Sequence, residues 1–374
     1  MSNYRICNRC VMDTSATEII FYQDGRCSFC KDFDERVSQE IHKDLPDNFL
    51  SEFAKKVKKA GKNNEYDCLI GISGGVDSSY VAHLTKELGL RPLAIHLDNG
   101  WNSELSVSNI ENLCDKLDID LETHVLNWKE FKDIQTSFLK SSISNIEIPT
   151  DHAIWAVLVK KAAKLNIKYI ISGSNAATES IMPNSWLYTS KDSKVIRSIH
   201  KKFGKLRMKN YPYLTTFDYF EKLFVRGIKW VPILNYTDFD KEKAKALLVS
   251  KYDWRDYGGK HYESIFTRFF HSYYLIEKFG YDLRRAYSSA EICSGQLSRK
   301  KALEDLKKAP AETSMVKSDI EYVKKKLGFS DKDFELIIRK TNLSFEHYPN
   351  NHKIWTALAR YVKYFRKRIT EIHE

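Results

Sequence analysis

Tyr66-Asp67-Cys68-Leu69-Ile70-Gly71-Ile72-Ser73-Gly74-Gly75-Val76-Asp77-Ser78-Ser79 is the stretch that decides the fold. Residues 66–72 are a short apolar run of the length of a buried parallel strand. Residues 78–88 have helical spacing, and Gly89 stands where a helix would end. Between strand and helix, two consecutive glycines let main-chain N–H groups converge on an anion with no Cβ in the way. The helix adds its positive N-terminal end. Ser73, Ser78 and Ser79 offer hydroxyls to phosphate oxygens. Asp77 suits a Mg²⁺ ligand, because a bare carboxylate beside phosphate would be repelled. A Gly-Gly turn capped by Ser and Asp uses the same residue types. The strand–helix junction favours the phosphate cradle, and the Gly-Lys-Ser/Thr ending of the commoner nucleoside triphosphate loop is absent.

The pattern continues on the C-terminal side. Residues 92–97, 121–126 and 169–172 read as further strands, and 106–117 and 152–165 as helices between them. Strands separated by helices predict an α/β fold with a parallel, doubly wound sheet, whose ligands gather at the carboxyl ends of the strands. Before it, 49–59 reads as a basic helix. Beyond about residue 200 the chain becomes helical and aromatic-rich, with helix-like spacing at 241–250, 262–279, 298–307, 318–327, 332–341 and 353–372. The aromatics of 211–237 and 262–287 read as core more readily than as a ligand stack. Three units are expected: 1–45, 46–200 and a mostly helical 201–374.

The first unit contains Cys7-x-x-Cys10 and Cys27-x-x-Cys30, separated by sixteen residues. This is zinc-ribbon spacing, and four thiolates suit a closed tetrahedral Zn²⁺ site. A metal also explains how so short a segment with little core folds. An iron–sulfur cluster would use the same four ligands. Cys68, Cys114 and Cys293 are scattered, so the seven cysteines indicate a reducing compartment and no disulfide framework. The N-terminus, Met1-Ser2-Asn3-Tyr4-Arg5, lacks the apolar segment of a signal peptide, and no apolar run is long enough to span a membrane. A cytoplasmic protein is expected. The net charge of +11 permits nucleic acid, anionic lipid or phosphorylated substrates and chooses none of them.

Residues 73–79 resemble the signature of the PP-loop ATP pyrophosphatases, which cleave ATP between its α and β phosphates. The resemblance runs over about residues 66–180. It implies nucleotide contacts at His96 and Asp98, in His96-Leu97-Asp98-Asn99-Gly100, and at Gly173, in Ser172-Gly173-Ser174-Asn175. The first of these also reads as a simple turn. The whole chain resembles the N-acetyl sugar amidotransferase family of bacterial O-antigen and nonulosonate biosynthesis. That resemblance is carried by Arg5-Ile6-Cys7 through Cys10-Val11-Met12-Asp13-Thr14, the PP-loop, and Pro149-Thr150-Asp151-His152. Two C-terminal stretches add to it: Asp256-Tyr257-Gly258-Gly259-Lys260-His261-Tyr262-Glu263-Ser264 and Ser289-Ala290-Glu291-Ile292-Cys293-Ser294-Gly295-Gln296.

The resemblance implies ATP, Mg²⁺ and Zn²⁺ as cofactors. ATP would be bound by Ser73, Gly74, Gly75, Val76, Asp77, Ser78, Ser79, His96, Asp98 and Gly173. Asp77, Asp151, Lys260 and His261 would be catalytic, and Cys7, Cys10, Cys27 and Cys30 the zinc ligands. The acetamido oxygen of a nucleotide-activated N-acetyl sugar would be adenylylated and then displaced by ammonia, leaving an acetamidino group. No glutaminase domain is recognisable, so the implied partners are a separate glutaminase and a barrel-type synthase subunit. Nucleic acid is not expected. Gly258-Gly259-Lys260-His261 reads either as a second anion site or as a turn, and Asp151 as a helix N-cap. The competing readings are a PP-loop tRNA-modifying enzyme of thiolation or lysidine type, and a non-catalytic nucleotide-binding protein.

Overall fold

The computed structural model describes residues 4–37, 41 and 45–358 of the chain. Its centre is a five-stranded sheet: β1 (Cys68–Gly71), β2 (Pro92–Asp98), β3 (Asp120–Val125), β4 (Tyr169–Ser172) and β5 (Lys229–Pro232), in the order β3-β2-β1-β4-β5. Every pair is parallel. Leu69 stands opposite Leu93 on one side and Ile170 on the other, and Ser172 opposite Pro232. The chain builds one half of the sheet from β1 to β3 and then returns to β4, so its direction of growth reverses beside β1. In such sheets the crevice lies outside the carboxyl ends of the strands at this reversal.

β1 is central because it is apolar on both faces. Cys68, Leu69 and Ile70 are fully buried, and burying a side chain such as Leu69 or Ile70 stabilises by about 1.5–3 kcal/mol. One face packs on Val57, Val81, Ala82, Ile110, Leu113 and Leu248; the other receives Ala156–Val159 of the helix Ile148–Lys164. A third cluster lies away from the sheet. It joins Cys7, Cys10, Cys27 and Cys30 to Trp101, Phe138, Trp186, Phe266, Tyr274 and Tyr348.

The N-terminal segment is held by few repetitive hydrogen bonds. It has two isolated bridges, Ile6 with Asp13 and Phe21 with Cys27, and a short helix Ser28–Asp32. It docks on the helix Leu283–Cys293: Val11 N donates to Ser289 Oγ at 3.1 Å, and Arg285 donates to Val11 O at 2.9 Å. Arg299 donates to the carbonyls of Cys7 and Cys10 at 2.8 and 3.0 Å.

Several elements differ from the reading by periodicity. The helix expected at 152–165 begins earlier, at Ile148, with Glu147 at its cap and Pro149 in its first turn. Proline is accommodated there because the first N–H groups of a helix have no partner to lose. Asp151 is therefore inside the helix and is not its cap. Periodicity does not single out Trp128–Ser141, Leu283–Cys293 or β5. In β5, Trp230 stacks on Trp155 with ring centroids 3.7 Å apart. Of the expected helix 353–372, residues 352–358 are helical and 359–372 lie outside the described residues. Among the described residues, no helix is long and apolar enough to cross a membrane.

Candidate active site

The PP-loop follows β1 and opens the helix Val76–Glu87, with Gly75 at the N-cap. Gly74 has φ +83°, a left-handed conformation, and a Cβ there would come within 2.8 Å of Tyr257 Oη. Glycine meets both constraints. The serine hydroxyls pin the loop: Ser73 N donates to Ser78 Oγ at 3.2 Å, Ser78 Oγ to Gly75 O at 3.1 Å, and Gly75 N to Ser73 Oγ at 3.3 Å. The loop is also held from about 180 residues further along the chain. Gly74 O accepts from Trp254 Nε1 at 2.8 Å and from Tyr257 Oη at 3.0 Å. After β4, Gly173 lies against the loop helix, where a Cβ would be 2.8 Å from the Asp77 carbonyl carbon. Any other residue there would push the carboxyl end of β4 away from the loop helix.

Across from the loop lies the segment 256–263. Lys260 Nζ is 3.2 Å from Glu179 Oε1 and 3.9 Å from the centroid of the Tyr287 ring. His261 has φ +64°, an uncommon conformation for a residue with a side chain. Its Nδ1 is 3.7 Å from Glu263 Oε1, and its ring is 5.1 Å from His271 and 5.7 Å from Tyr287. Burial raises Asp77, the Glu179 charge raises it further, and its carboxyl titrates at about 6. Asp77 Oδ1 is buried with no hydrogen-bond partner, so a cation placed there would satisfy an atom the protein leaves unpaired. Burial opposes the charge of Lys260, but Glu179, Tyr287 and Asp77 outweigh it and hold the ammonium above its ordinary range. Burial opposes ionisation of Glu179 too, and Lys260 and His261 bring its carboxyl below the usual value.

Two cavities meet here. One, of about 410 Å³, is lined by Gly75, Val76 and Asp77 with Lys241, Lys245, Gly258, Gly259 and Lys260. The other, of about 420 Å³, runs over the ends of β1, β2 and β4 to the start of the helix Ile148–Lys164. Ser73, Ser78, Gly173, His261 and Glu263 line both. His96 lines the larger cavity, but its ring nitrogens are engaged with Ile72 O at 3.0 Å and Asn102 Nδ2 at 2.9 Å. Asp98 lines neither; its Oδ1 accepts from Gly100 N at 2.8 Å, the turn geometry of Asp-Asn-Gly. Ser79 is fully buried within its helix and lines neither cavity. Asp151 lines the larger cavity, where burial pushes its carboxyl up to about 7 against the lowering effect of His261. His152 faces away from it, bonded to Ser190 O at 2.8 Å and to Leu214 N at 3.0 Å.

Residues that motif reading does not assign complete the site. Glu179, Glu263, His271, Glu147 and Trp254 carry no spacing signal, and Tyr287 lies among the aromatics of 262–287 that read as core. Glu263 lies within a stretch quoted for its resemblance, which is the one signal that could have raised it.

The four clustered cysteines are fully buried, and their sulfurs all lie within 4.8 Å of one another. Cys7–Cys30 and Cys10–Cys27 are 3.7 and 3.6 Å apart. A tetrahedral ion with thiolates at about 2.3 Å sets its sulfurs roughly 3.8 Å apart, so the four sulfurs fit one metal ion. Cys293 Sγ is 3.8 Å from Cys30 Sγ.

Two known families match separate parts of the chain. Residues 48–175 match the NAD synthase family, and residues 263–362 match a family described as LPS biosynthesis protein WbpG-like, C-terminal domain. The chain joins an NAD-synthase-type PP-loop domain to a WbpG-like C-terminal domain. The PP-loop domain is of the ATP-pyrophosphatase type of enzyme. The chain is 31% identical over 119 residues to the tRNA-specific 2-thiouridylase MnmA of Helicobacter hepaticus, covering 29% of this chain and 34% of that protein. It is 29% identical over 118 residues to MnmA 2 of Fusobacterium nucleatum, covering 30% and 34%. The chain thus spans about a third of the length of the curated relatives it matches. Among solved structures, it is similar to the U34-tRNA thiolase NcsA of Methanococcus maripaludis with its [4Fe-4S] cluster, at 14% identity and a TM-score of 0.34, covering 87% of this chain and 89% of that one. The WbpG-like domain supplies Tyr287 and His271 to the cleft and the helix Leu283–Cys293 to the cysteine unit.

Proposed function

We propose that this protein is an ATP-dependent amidotransferase acting on a nucleotide-activated N-acetyl sugar in surface polysaccharide biosynthesis. It would adenylylate the acetamido oxygen and replace it with ammonia, giving an acetamidino sugar with AMP and pyrophosphate. One observation carries the reading: a lysine-lined phosphate cradle opens, through shared lip residues, into a second cavity walled by the WbpG-like domain. The α-phosphorus would then sit at the junction, within reach of an oxygen held in the second cavity. An amide oxygen is a poor leaving group, and its phosphorylation makes displacement feasible. The PP-loop amides grip the two outer phosphates, and Lys260 faces the charge that develops as pyrophosphate departs. Mg²⁺ would be held by Asp77 and would neutralise phosphate charge.

Incubation with ATP, Mg²⁺, ammonium and a panel of nucleotide-activated N-acetylated sugars tests the proposal. The expected result is AMP and a product about one mass unit lighter, with NH in place of oxygen. Release of ADP and orthophosphate would overturn it. We further propose that the ammonia comes from a separate glutaminase and barrel-type synthase, and that the protein works in the cytoplasm, where its thiols stay reduced.

For the cysteine unit we propose Zn²⁺, on the sulfur spacing. A multi-iron cluster places its own sulfides between the ligands and needs a wider cage. Cys7→Ser should abolish one equivalent of zinc and lower the melting temperature, because the unit has little core of its own; unchanged metal content would refute the site.

The curated relatives favour a second reading, tRNA thiolation. Against it, no cysteine lines either described cavity, so nothing there resembles a thiolase's catalytic cysteine pair. Burial raises Cys68 above the thiol range and pushes Cys114 up to about 12, which makes both inert. RNA that copurifies and dissociates steeply with salt would support thiolation.

A further inference from the structure

The acids of the cleft divide into two groups. Asp77, Glu179 and Glu263 interact with Lys260 and His261. Glu147 feels neither of these cations and Asp151 feels His261 alone; the two lie one turn from each other at the start of the helix Ile148–Lys164, with Asp151 N hydrogen-bonded to Glu147 O at 3.1 Å. Both line the larger cavity. Glu147 is only 7% exposed; its Oε2 accepts from Thr267 Oγ1 at 3.2 Å, and its Oε1 has no partner. Thr150 between them is also 7% exposed, and its Oγ1 is likewise unpartnered. No lysine or arginine lines this cavity among the described residues. Of its two non-sheet histidines, His271 is held well below its ordinary range by burial and by the charges of His261 and Lys260, so it stays neutral.

A cavity with buried, unpaired acceptors and no lysine or arginine is built for a guest that brings only donors. A diphosphate or sugar carboxylate would find no lysine or arginine to pair with there among the described residues. Ammonium is small, cationic and donates on every side. We propose that Glu147 and Asp151, with Thr150, form the ammonium site of the amidotransferase, holding the nitrogen nucleophile and removing its proton. This inference rests on the amidotransferase reading above. The acids suit that role, because burial and the Asp151 charge push Glu147 up to about 8 and make its carboxylate a far stronger base than an exposed one.

Ammonium first gives one proton to the carboxylate, and the freed electron pair forms a C–N bond to the imidate carbon. The C–O bond to the adenylyl group breaks, and its electron pair leaves on AMP. One ammonia proton passes to the imidate nitrogen, giving the amidinium product, and the proton on the carboxyl is released to solvent.

The test is a titration of the full chain with ammonium chloride at saturating ATP and acetamido-sugar nucleotide. Wild type would be compared with Glu147→Gln and Asp151→Asn, and ATP binding and melting temperature would report folding. KM for ammonium should rise roughly tenfold or more, as expected for losing a charge-assisted hydrogen bond, while KM for ATP moves by less than about twofold. A raised KM for the sugar with unchanged KM for ammonium in both variants overturns the site and assigns these acids to sugar recognition. Loss of sugar-dependent ATP–pyrophosphate exchange in both folded variants also overturns it, since that half-reaction needs no ammonia. If wild type forms no ammonium-dependent product from any sugar nucleotide, the amidotransferase reading fails, and the site with it.

Discussion

The two walls of the cleft are made in different ways. The phosphate wall is a run of consecutive residues at one strand–helix junction, using main-chain amides and short hydroxyls. The facing wall takes Lys260 and His261 from one loop, Glu179 from a four-residue helix after β4 and Tyr287 from the WbpG-like domain. A main-chain cradle needs only the right φ/ψ and a helix end, so it is local. A charge cluster needs partners to offset the cost of desolvation, and those partners come from wherever the fold brings them. The first wall should therefore bind ATP without help from the second, and the second should fail as a unit.

The largest effect should separate binding from turnover in the first wall. Asp77→Asn keeps the amide cradle and removes the charge proposed to hold the cation. Pyrophosphate release should fall by about 10²–10³, with ATP binding retained by calorimetry; near-normal turnover would remove Asp77 from its role. The second wall is broken by Lys260→Met, which leaves Glu179 short of its cation. Both side chains keep some exposure (19% and 30%), so a loss of about 2–3 kcal/mol is expected in denaturant unfolding, below the value for a fully buried pair. Adding Glu179→Gln should recover most of that stability but no turnover. Additive effects of the two changes would show that the wall is not a unit.

Gly173→Val tests the junction between the walls. Its side chain would meet the Asp77 main chain, costing about 1–3 kcal/mol and weakening ATP binding along with stability. The smallest change sharpens the comparison. Trp254→Phe removes one hydrogen bond to Gly74 O, worth about 1 kcal/mol, and should weaken ATP binding by roughly fivefold. An unaltered Kd would show that the cradle is self-supporting.

The contrast also explains which parts are legible in the amino-acid sequence. Residues 66–79 announce a strand, an anion loop and a helix, because each depends on its neighbours along the chain. The cysteine spacing likewise announces a four-sulfur cluster that could hold a metal ion, since Cys-x-x-Cys sets two sulfurs near one point without tertiary help. The Gly-Gly-Lys-His stretch is ambiguous between turn and site, and only its position opposite the PP-loop places it in a cavity wall. Asp98 shows the opposite outcome: a carboxylate at a strand end that spends its oxygen on the turn. Asp151 reads as a cap because aspartate commonly is one, and Pro149, which tolerates a helix start before itself, moves the boundary.

The sequence by itself determined the parallel α/β core, the phosphate loop and the four-thiol unit, because backbone preference, alternation of strands with helices and ligand spacing act over short stretches. Only the tertiary structure decided that Trp254 and Tyr257 hold the loop from about 180 residues away, that Lys260 pairs with Glu179, and that Glu147 and Asp151 share a cavity free of lysine and arginine among the described residues. Those features depend on burial and on which charges face one another, quantities that exist only once the chain has closed around them.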